Sequence, residues 1–161
     1  MYLRMLCLTL GVGLGLTVLT EASDTNLSAS ENARIEQEVV SANEQMNKAA
    51  ESLDVGKFFD WILDEAKGPI IQDGRLFQTR EEAKAAVERG YQGVRTLNRT
   101  FDQTFVTVLS KESALVSSSG VSRIALMDGR SFEAPFAVSL VFVLRDGQWK
   151  VLQGHYSTPN R

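Results

Sequence analysis

The chain has 161 residues, 43% of them hydrophobic, and its 17 lysines and arginines against 20 aspartates and glutamates give a net charge of −3. This profile is typical of one globular domain and excludes a fibrous or wholly disordered protein. A mildly acidic chain without a basic stripe also argues against nucleic acid or an anionic membrane surface as a partner.

Residues 1–22 have the features of a cleaved export signal. Arg4 precedes an apolar run over residues 5–19, and Thr20 and Ala22 are small residues at positions −3 and −1 before a cleavage point. The run of about 15 residues is shorter than the roughly 20 that a permanent membrane helix needs. We therefore expect a secreted or periplasmic protein, in which residues 23–30 link the signal to one domain over residues 31–158.

Two amphipathic helices are predicted at the start of that domain. The first begins at a capping box formed by Ser28 and Glu31. Its apolar stripe, at steps of three and four, consists of Ile35, Val39, Ala42, Met46, Ala49 and Leu53. Asp54 caps the second helix, which contains residues 58–63 and ends at residues 67–69. Two adjacent amphipathic helices need a sheet to cover their apolar faces.

A short hairpin and a third helix follow. The hairpin covers residues 70–77 and turns at Asp73-Gly74. Thr79 and Glu82 form a second capping box, which begins a helix that extends toward Tyr91.

The remainder of the chain alternates between apolar and polar residues, which predicts four long strands. They cover residues 101–109, 114–127, 131–144 and 149–156. Pro135 interrupts the third strand, so we expect a bulge or bend there. Helices followed by strands indicate an α+β layout.

The final hairpin gives the strongest indication of a site. Counting from its Asp146-Gly147 turn places these pairs on one face: Leu144 with Trp149, Phe142 with Val151, Leu140 with Gln153, and Val138 with His155. Gln153 and His155 are the polar members of that apolar face. A few polar groups in an apolar surface are typical of a small-molecule pocket.

The order of elements resembles the nuclear transport factor 2-like superfamily, in particular its SnoaL-like branch, over residues 31–158. The residues that carry the resemblance are the Asp73-Gly74-Arg75 turn before residues 79–82, the Asp128-Gly129-Arg130 turn, and residues 145–151 followed by His155 and Ser157. The resemblance implies three N-terminal helices packed on a strongly curved antiparallel sheet, a cone or half-barrel with an open-ended apolar cavity.

The resemblance also implies that a dimer often forms through the outer face of the sheet. On the final hairpin, this outer face is predicted to consist of Ala137, Ser139, Val141, Val143, Lys150, Leu152, Gly154 and Tyr156. It is too apolar for a fully solvated surface, which favours a homodimer.

His155 is the candidate catalytic residue, because an imidazole exchanges protons near neutral pH. The alternative is a core histidine bonded to Gln153 or Ser157. The candidate ligand contacts are Gln153, Trp61, Tyr91, Val138, Leu140, Phe142 and Trp149, although ordinary core packing is an alternative for the aromatic residues of the helices.

Neither a cofactor nor a metal is expected. The chain has one histidine and one cysteine, Cys7, which lies in the predicted signal, so only carboxylates would remain as further ligands. The sequence also lacks a glycine-rich phosphate loop and a nucleophile elbow.

Three functions remain open from the sequence. The favoured one is an exported domain that binds a small apolar molecule. The second is an enzyme of the ketosteroid isomerase or polyketide cyclase type, which would transfer a proton on a carbonyl compound; enzymes of the resembling superfamily use a pocket carboxylate as the base, and no carboxylate here matches that pattern. The third is a homodimeric association module without a ligand.

Overall fold

A computed structural model of the protein describes residues 27–159, so the predicted signal and the first half of the predicted linker lie outside the described residues. The described chain contains three helices and one six-stranded sheet. In chain order the elements are α1 (Ala29–Glu51), α2 (Val55–Phe59), β1 (Ile70–Gln72), β2 (Arg75–Phe77), α3 (Arg80–Tyr91), β3 (Val94–Ser110), β4 (Ser113–Leu126), β5 (Ser131–Arg145) and β6 (Gln148–Ser157). Of the helices in this part of the chain, none is long and apolar enough to cross a membrane.

The helix starts follow local sequence signals. The Ser28 hydroxyl accepts a hydrogen bond from the Glu31 amide at 3.2 Å, and the Glu31 carboxylate accepts one from the Ser28 amide at 3.0 Å, which confirms the capping box. Asp54 and Thr79 cap α2 and α3 through the amides of Lys57 and Glu82. Each of these caps supplies an acceptor for an amide that has no partner within the helix.

The buried face of α1 differs from the predicted stripe in its second half. It consists of Ile35, Val39, Ala42, Asn43, Met46, Asn47 and Ala50. Two asparagines therefore lie on the face that packs against the sheet, where the sequence predicted Ala49 and Leu53.

Helix α2 ends at Phe59, earlier than predicted. The chain then runs beside β6, where the Val151 amide donates to the Trp61 carbonyl at 2.8 Å and the Leu63 amide donates to the Val151 carbonyl at 2.9 Å. Because these backbone groups find partners on β6, further helical turns are not needed to satisfy them.

The strand order is β2-β1-β6-β5-β4-β3. The first hairpin turns at Asp73-Gly74 as predicted, with Gln72 paired to Arg75. Strand β1 also pairs with β6, and this pair is parallel, so the predicted wholly antiparallel sheet is wrong at this edge.

Strand β3 begins seven residues earlier than predicted, at Val94 rather than at residue 101. Its pairing with β4 shifts between Phe101 and Gln103, opposite Gly120. A side chain on Gly120 would overlap the carbonyl oxygen of Thr100, so glycine permits the close backbone approach at this bulge.

The bulge predicted at Pro135 is absent from β5. Pro135 pairs with Val121 in an uninterrupted register with β4. On the other side, the pairing of β5 with β6 ends at Ala137 and Ser157. Pro135, which has no backbone N–H, therefore does not need to donate a hydrogen bond to β6.

The decisive irregularity lies in β6, at Leu152. Trp149 pairs with Leu144 and Val151 with Phe142, as predicted, but the next pair is Val141 with Gln153. The extra residue reverses the face of every residue that follows it.

The bulge overturns the predicted placement of four residues. Gln153 and His155 were expected to point inward, and the register instead aligns them with the outward-facing Val141 and Ser139. Gly154 and Tyr156, which were predicted on the outer face, pair with Leu140 and Val138 and lie on the concave face. His155 is accordingly exposed.

The hydrophobic core lies between α1, α2 and the concave face of the sheet. Its largest fully buried side chains include Phe59, Phe142, Ile35, Met46 and Ile62. Val143, predicted on the outer face, is also buried, in a small separate cluster with Leu63 and Ala66. The core is filled near the turn between β5 and β6, and it leaves an open space toward the other end of these strands.

Candidate functional site

A cavity of about 280 Å³ lies between α1, α3 and the concave face of the sheet. This volume is at the lower end of the range for small-ligand pockets, about 300–1,000 Å³. Most of the wall is apolar and includes Met46, Leu97, Phe101, Phe136, Val138 and Leu140. The Phe101 and Phe136 rings meet edge to face with centroids 5.4 Å apart, which fixes this part of the wall.

Two asparagines of α1, Asn43 and Asn47, supply amide groups to the cavity. They are one helical turn apart, and the Asn47 Nδ2 donates to the Asn43 carbonyl at 2.8 Å and to the Asn43 Oδ1 at 3.3 Å. These bonds leave the Asn47 Oδ1 directed at the strand opposite, where it accepts from Arg99 Nη1 at 3.2 Å.

Arg99 projects from β3 into the same space and is half-buried. Its backbone amide donates to Glu51 Oε1 at 2.6 Å, and its guanidinium carbon lies 6.0 Å from the centre of the Phe136 ring. Among the described residues, no carboxylate lies within 4.0 Å of the Arg99 guanidinium. Arg99 thus holds a positive charge in the cavity without an ion-pair partner from this part of the chain.

Two tyrosines add hydroxyl groups to the polar lining, which also contains Gln72, Ser122, Ser157 and Thr158. The Tyr91 hydroxyl donates to the Ala50 carbonyl at 3.2 Å, whereas the Tyr156 hydroxyl is buried and has no hydrogen-bond partner within residues 27–159. Burial raises the pKa of both phenols, and the nearby Arg99 charge only partly opposes that rise. Both hydroxyls are therefore protonated near neutral pH and can donate hydrogen bonds.

The predicted site residues separate into three groups. Tyr91, Val138 and Leu140 line the cavity. Trp61, Phe142 and Trp149 pack in or against the core away from it, and the Trp149 Nε1 donates to Glu38 Oε2 at 3.1 Å. Gln153 and His155 lie on the outer face, so the cavity does not contain the imidazole that the sequence predicted there.

His155 instead borders a shallow depression on the outer face of the sheet. Its neighbours there include Gln103, Phe105, Ser119, Ser139 and Ser157. In the described lining of this depression His155 is the sole titratable side chain, so no second group is present to exchange a proton with it.

The polar cavity residues that were not predicted from the sequence include Asn43, Asn47, Arg99 and Tyr156. The sequence does contain a signal for the two asparagines. Asn43 and Asn47 directly follow Ala42 and Met46 of the predicted apolar stripe, so they lie at the edge of the predicted buried face. Arg99 and Tyr156 depend on the extended β3 and on the bulge in β6, for which we find no comparable sequence signal.

The family model of the SnoaL-like domain matches residues 39–161. The chain belongs to the SnoaL-like family. The match confirms the resemblance inferred from the sequence, and its span includes every polar residue of the cavity. No curated protein sequence matches the chain.

Solved structures show the same SnoaL-like, nuclear transport factor 2-like fold. A candidate scytalone dehydratase from Novosphingobium aromaticivorans aligns with a TM-score of 0.73 at 12% identity, over 83% of this chain and 89% of that one. A ketosteroid isomerase-like protein from Erwinia carotovora aligns with a TM-score of 0.66 at 14% identity, over 78% and 97%. A nuclear transport factor 2-like superfamily protein from Salmonella enterica aligns with a TM-score of 0.69 at 12% identity, over 80% and 94%. At these identities the likeness establishes the fold.

Metal binding finds no support in the residues the structure covers. Between residues 27 and 159 no three histidine, cysteine, aspartate or glutamate side chains are grouped so that they could hold a metal ion.

Proposed function

We propose that this SnoaL-like domain binds a small, mainly apolar molecule in the cavity between α1, α3 and the sheet. The observation that carries the proposal is the buried, unpartnered hydroxyl of Tyr156 in a cavity that is otherwise mostly apolar. A buried hydroxyl without a partner costs about 1–3 kcal/mol of folding free energy. A bound molecule that accepts its hydrogen bond would remove that cost.

The proton-transfer alternative is weaker in this cavity. No aspartate, glutamate, histidine or lysine belongs to the described cavity lining. The ionisable groups there are one guanidinium and two phenols of raised pKa, and all three are hydrogen-bond donors near neutral pH. Such a site can hold a carbonyl or an anion but has no group suited to act as a general base.

Ligand retention tests the proposed binding. The protein, purified from its own host, is analysed by native mass spectrometry for a mass addition that is lost on denaturation. Ala86 lines the cavity from α3, so Ala86→Phe places a ring in the space, and the matched Ala33→Phe adds the same ring on the exposed face of α1. We expect the wild type and Ala33→Phe to carry the ligand and Ala86→Phe to lack it. Equal occupancy in all three proteins contradicts binding in this cavity.

Self-association through the outer sheet face is a separate proposal. Phe105, Leu109 and Leu152 are exposed there by 62%, 51% and 37%. Exposed aromatic and aliphatic side chains on one face are typical of a surface that a partner covers. A second copy of the chain would bury them in a two-fold symmetric contact.

Export remains a proposal based on the sequence of residues 1–22. The intact mass of the protein isolated from its host would correspond to a chain that begins at Ser23. A mass that includes residues 1–22 would contradict cleavage.

A further inference from the structure

The charge of Arg99 restricts what the cavity accepts. Arg99 is the one formally charged side chain of the described cavity lining. The carboxylate closest in the hydrogen-bond network is Glu51, and it binds the Arg99 backbone amide rather than the guanidinium. A cation that is partly removed from water, with no counter-charge in contact, is unfavourable unless a ligand supplies that charge.

The surroundings of Arg99 hold its guanidinium in place. The Asn47 Oδ1 accepts from Nη1, and the guanidinium carbon lies over the Phe136 ring, 6.0 Å from its centre. Asn47 is itself fixed by its bonds to Asn43. One guanidinium nitrogen is used by the protein in this way, and the other donors stay available to a ligand; a planar guanidinium matches a carboxylate with two parallel bonds.

Tyr156 supplies a second donor to the same space. Its hydroxyl is buried and lacks an acceptor among the described residues, and Tyr156 lines the same cavity as Arg99. Tyr91 differs, because its hydroxyl already donates to the Ala50 carbonyl. A neutral ligand would satisfy Tyr156 but would leave Arg99 without a counter-charge, whereas an anion satisfies both.

The rest of the cavity wall favours a ligand whose remaining part is apolar. Leu97, Phe101, Phe136, Val138 and Leu140 form a continuous apolar surface, and a volume of about 280 Å³ suits a one- or two-ring molecule. A single cation without a helix N-terminus or a glycine-rich loop beside it does not match a nucleotide or a sugar phosphate.

We propose that the ligand is an apolar organic acid whose carboxylate binds the Arg99 guanidinium and the Tyr156 hydroxyl, with its hydrocarbon body against the apolar wall. This inference rests on the proposed binding function, and it adds the chemical class of the ligand. The acid is held and not transformed, because the cavity lining offers donors for the carboxylate and no base.

A matched pair of probes tests the inference. Calorimetric titration compares 2-naphthoate with 2-naphthamide, which has nearly the same shape and no charge. We expect the wild type to bind the acid about 10-fold or more tightly than the amide, because charge-assisted bonds are stronger than neutral ones. Arg99→Gln is expected to abolish this preference and to change affinity for the amide by less than about 3-fold.

Two further variants keep the test interpretable. Tyr156→Phe retains the ring and removes a donor that both a carboxylate and an amide carbonyl can use, so it is expected to weaken both probes, the acid by about 3- to 10-fold. Arg95→Gln removes an exposed arginine from the same strand and is expected to leave both affinities unchanged. Thermal melting of each variant shows whether it is folded.

The possible outcomes separate the two proposals. Equal affinity of the wild type for the acid and the amide contradicts the carboxylate site and leaves the binding function in place. A preference for the acid that survives in folded Arg99→Gln also contradicts it. If the folded wild type binds neither probe, both proposals are contradicted.

Discussion

Leu140 of β5 pairs with Gly154 of β6, and the absence of a side chain at Gly154 creates room for the Tyr156 ring. A Cβ at Gly154 would stand 2.9 Å from Leu140 Cδ2 and 3.0 Å from Tyr156 Cε2. The bulge at Leu152 turns Tyr156 toward the cavity, and Gly154 leaves room for its ring. These two features together form the polar end of the cavity.

Gly154→Ala is expected to destabilise the protein by about 1–3 kcal/mol, because overpacking displaces Leu140 and Tyr156. Urea unfolding measures the change. The matched control is Gly90→Ala in α3, where an added Cβ meets nothing within 4 Å; this variant is expected to stabilise the helix by about 0.5–1 kcal/mol. Destabilisation of similar size in both variants would contradict the packing role of Gly154.

His155→Ala is expected to leave ligand binding unchanged and stability within about 0.5 kcal/mol of the wild type, because His155 is an exposed residue on the outer face. Calorimetric titration with 2-naphthoate and thermal melting measure the two effects. A several-fold loss of affinity in this variant would contradict a binding site on the concave face of the sheet.

Acid sensitivity is expected at the start of α1. Hydrogen bonds from the Ser28 amide and hydroxyl, helped by Lys111, lower the pKa of Glu31 from 4.5 to about 2. Because the folded-state pKa is lower than the unfolded-state value, this stabilisation is present above pH 4.5 and is lost as the pH falls from about 4.5 toward 2. Chemical unfolding across that range should show that the free energy of unfolding depends less steeply on pH in Glu31→Gln than in the wild type.

The control for this pH dependence is Glu36→Gln, which removes an exposed carboxylate of the same helix and leaves the cap intact. In this variant the free energy of unfolding is expected to depend on pH as steeply as in the wild type. Identical slopes for the wild type, Glu31→Gln and Glu36→Gln would contradict a contribution of the capping box to acid sensitivity.

The outer face is expected to mediate a homodimer. Phe105→Arg puts a charge at a side chain that is 62% exposed in the single chain, and we expect light scattering coupled to size exclusion to show a dimer for the wild type and a monomer for this variant. Met127→Arg alters a residue that is 74% exposed at the β4–β5 turn and should remain dimeric. A monomeric wild type at micromolar concentration contradicts the proposed interface.

Features with local causes could be predicted from the sequence. The capping residues Ser28, Asp54 and Thr79 act within one turn of their helices, and the Asp73-Gly74 turn is set by its own backbone preferences. The α+β fold followed from the change of periodicity between the first and second halves of the chain.

Features that depend on pairing between distant strands could not be predicted in the same way. A single extra residue at Leu152 exchanges the faces of His155 and Tyr156, and the glycine of β6, Gly154, lies two residues beyond the bulge rather than at it. The early start of β3 results from pairs such as Thr96 with Ala125, which bring Arg99 onto the concave face. The polar end of the cavity was therefore wrong in the sequence-based prediction. Of the predicted apolar contacts, Val138 and Leu140 line the cavity, whereas Phe142 and Trp149 lie in the core.

The most direct test of cavity binding is a methyl NMR titration of the protein with 2-naphthoate. Leu97, Val138 and Leu140 line the cavity, whereas Leu109, Val141 and Leu152 belong to the outer surface. We predict saturable chemical-shift changes for the methyl groups of the first three residues and little change for those of the second three. Changes confined to the outer methyl groups, or no saturable change at the cavity methyl groups, would contradict it.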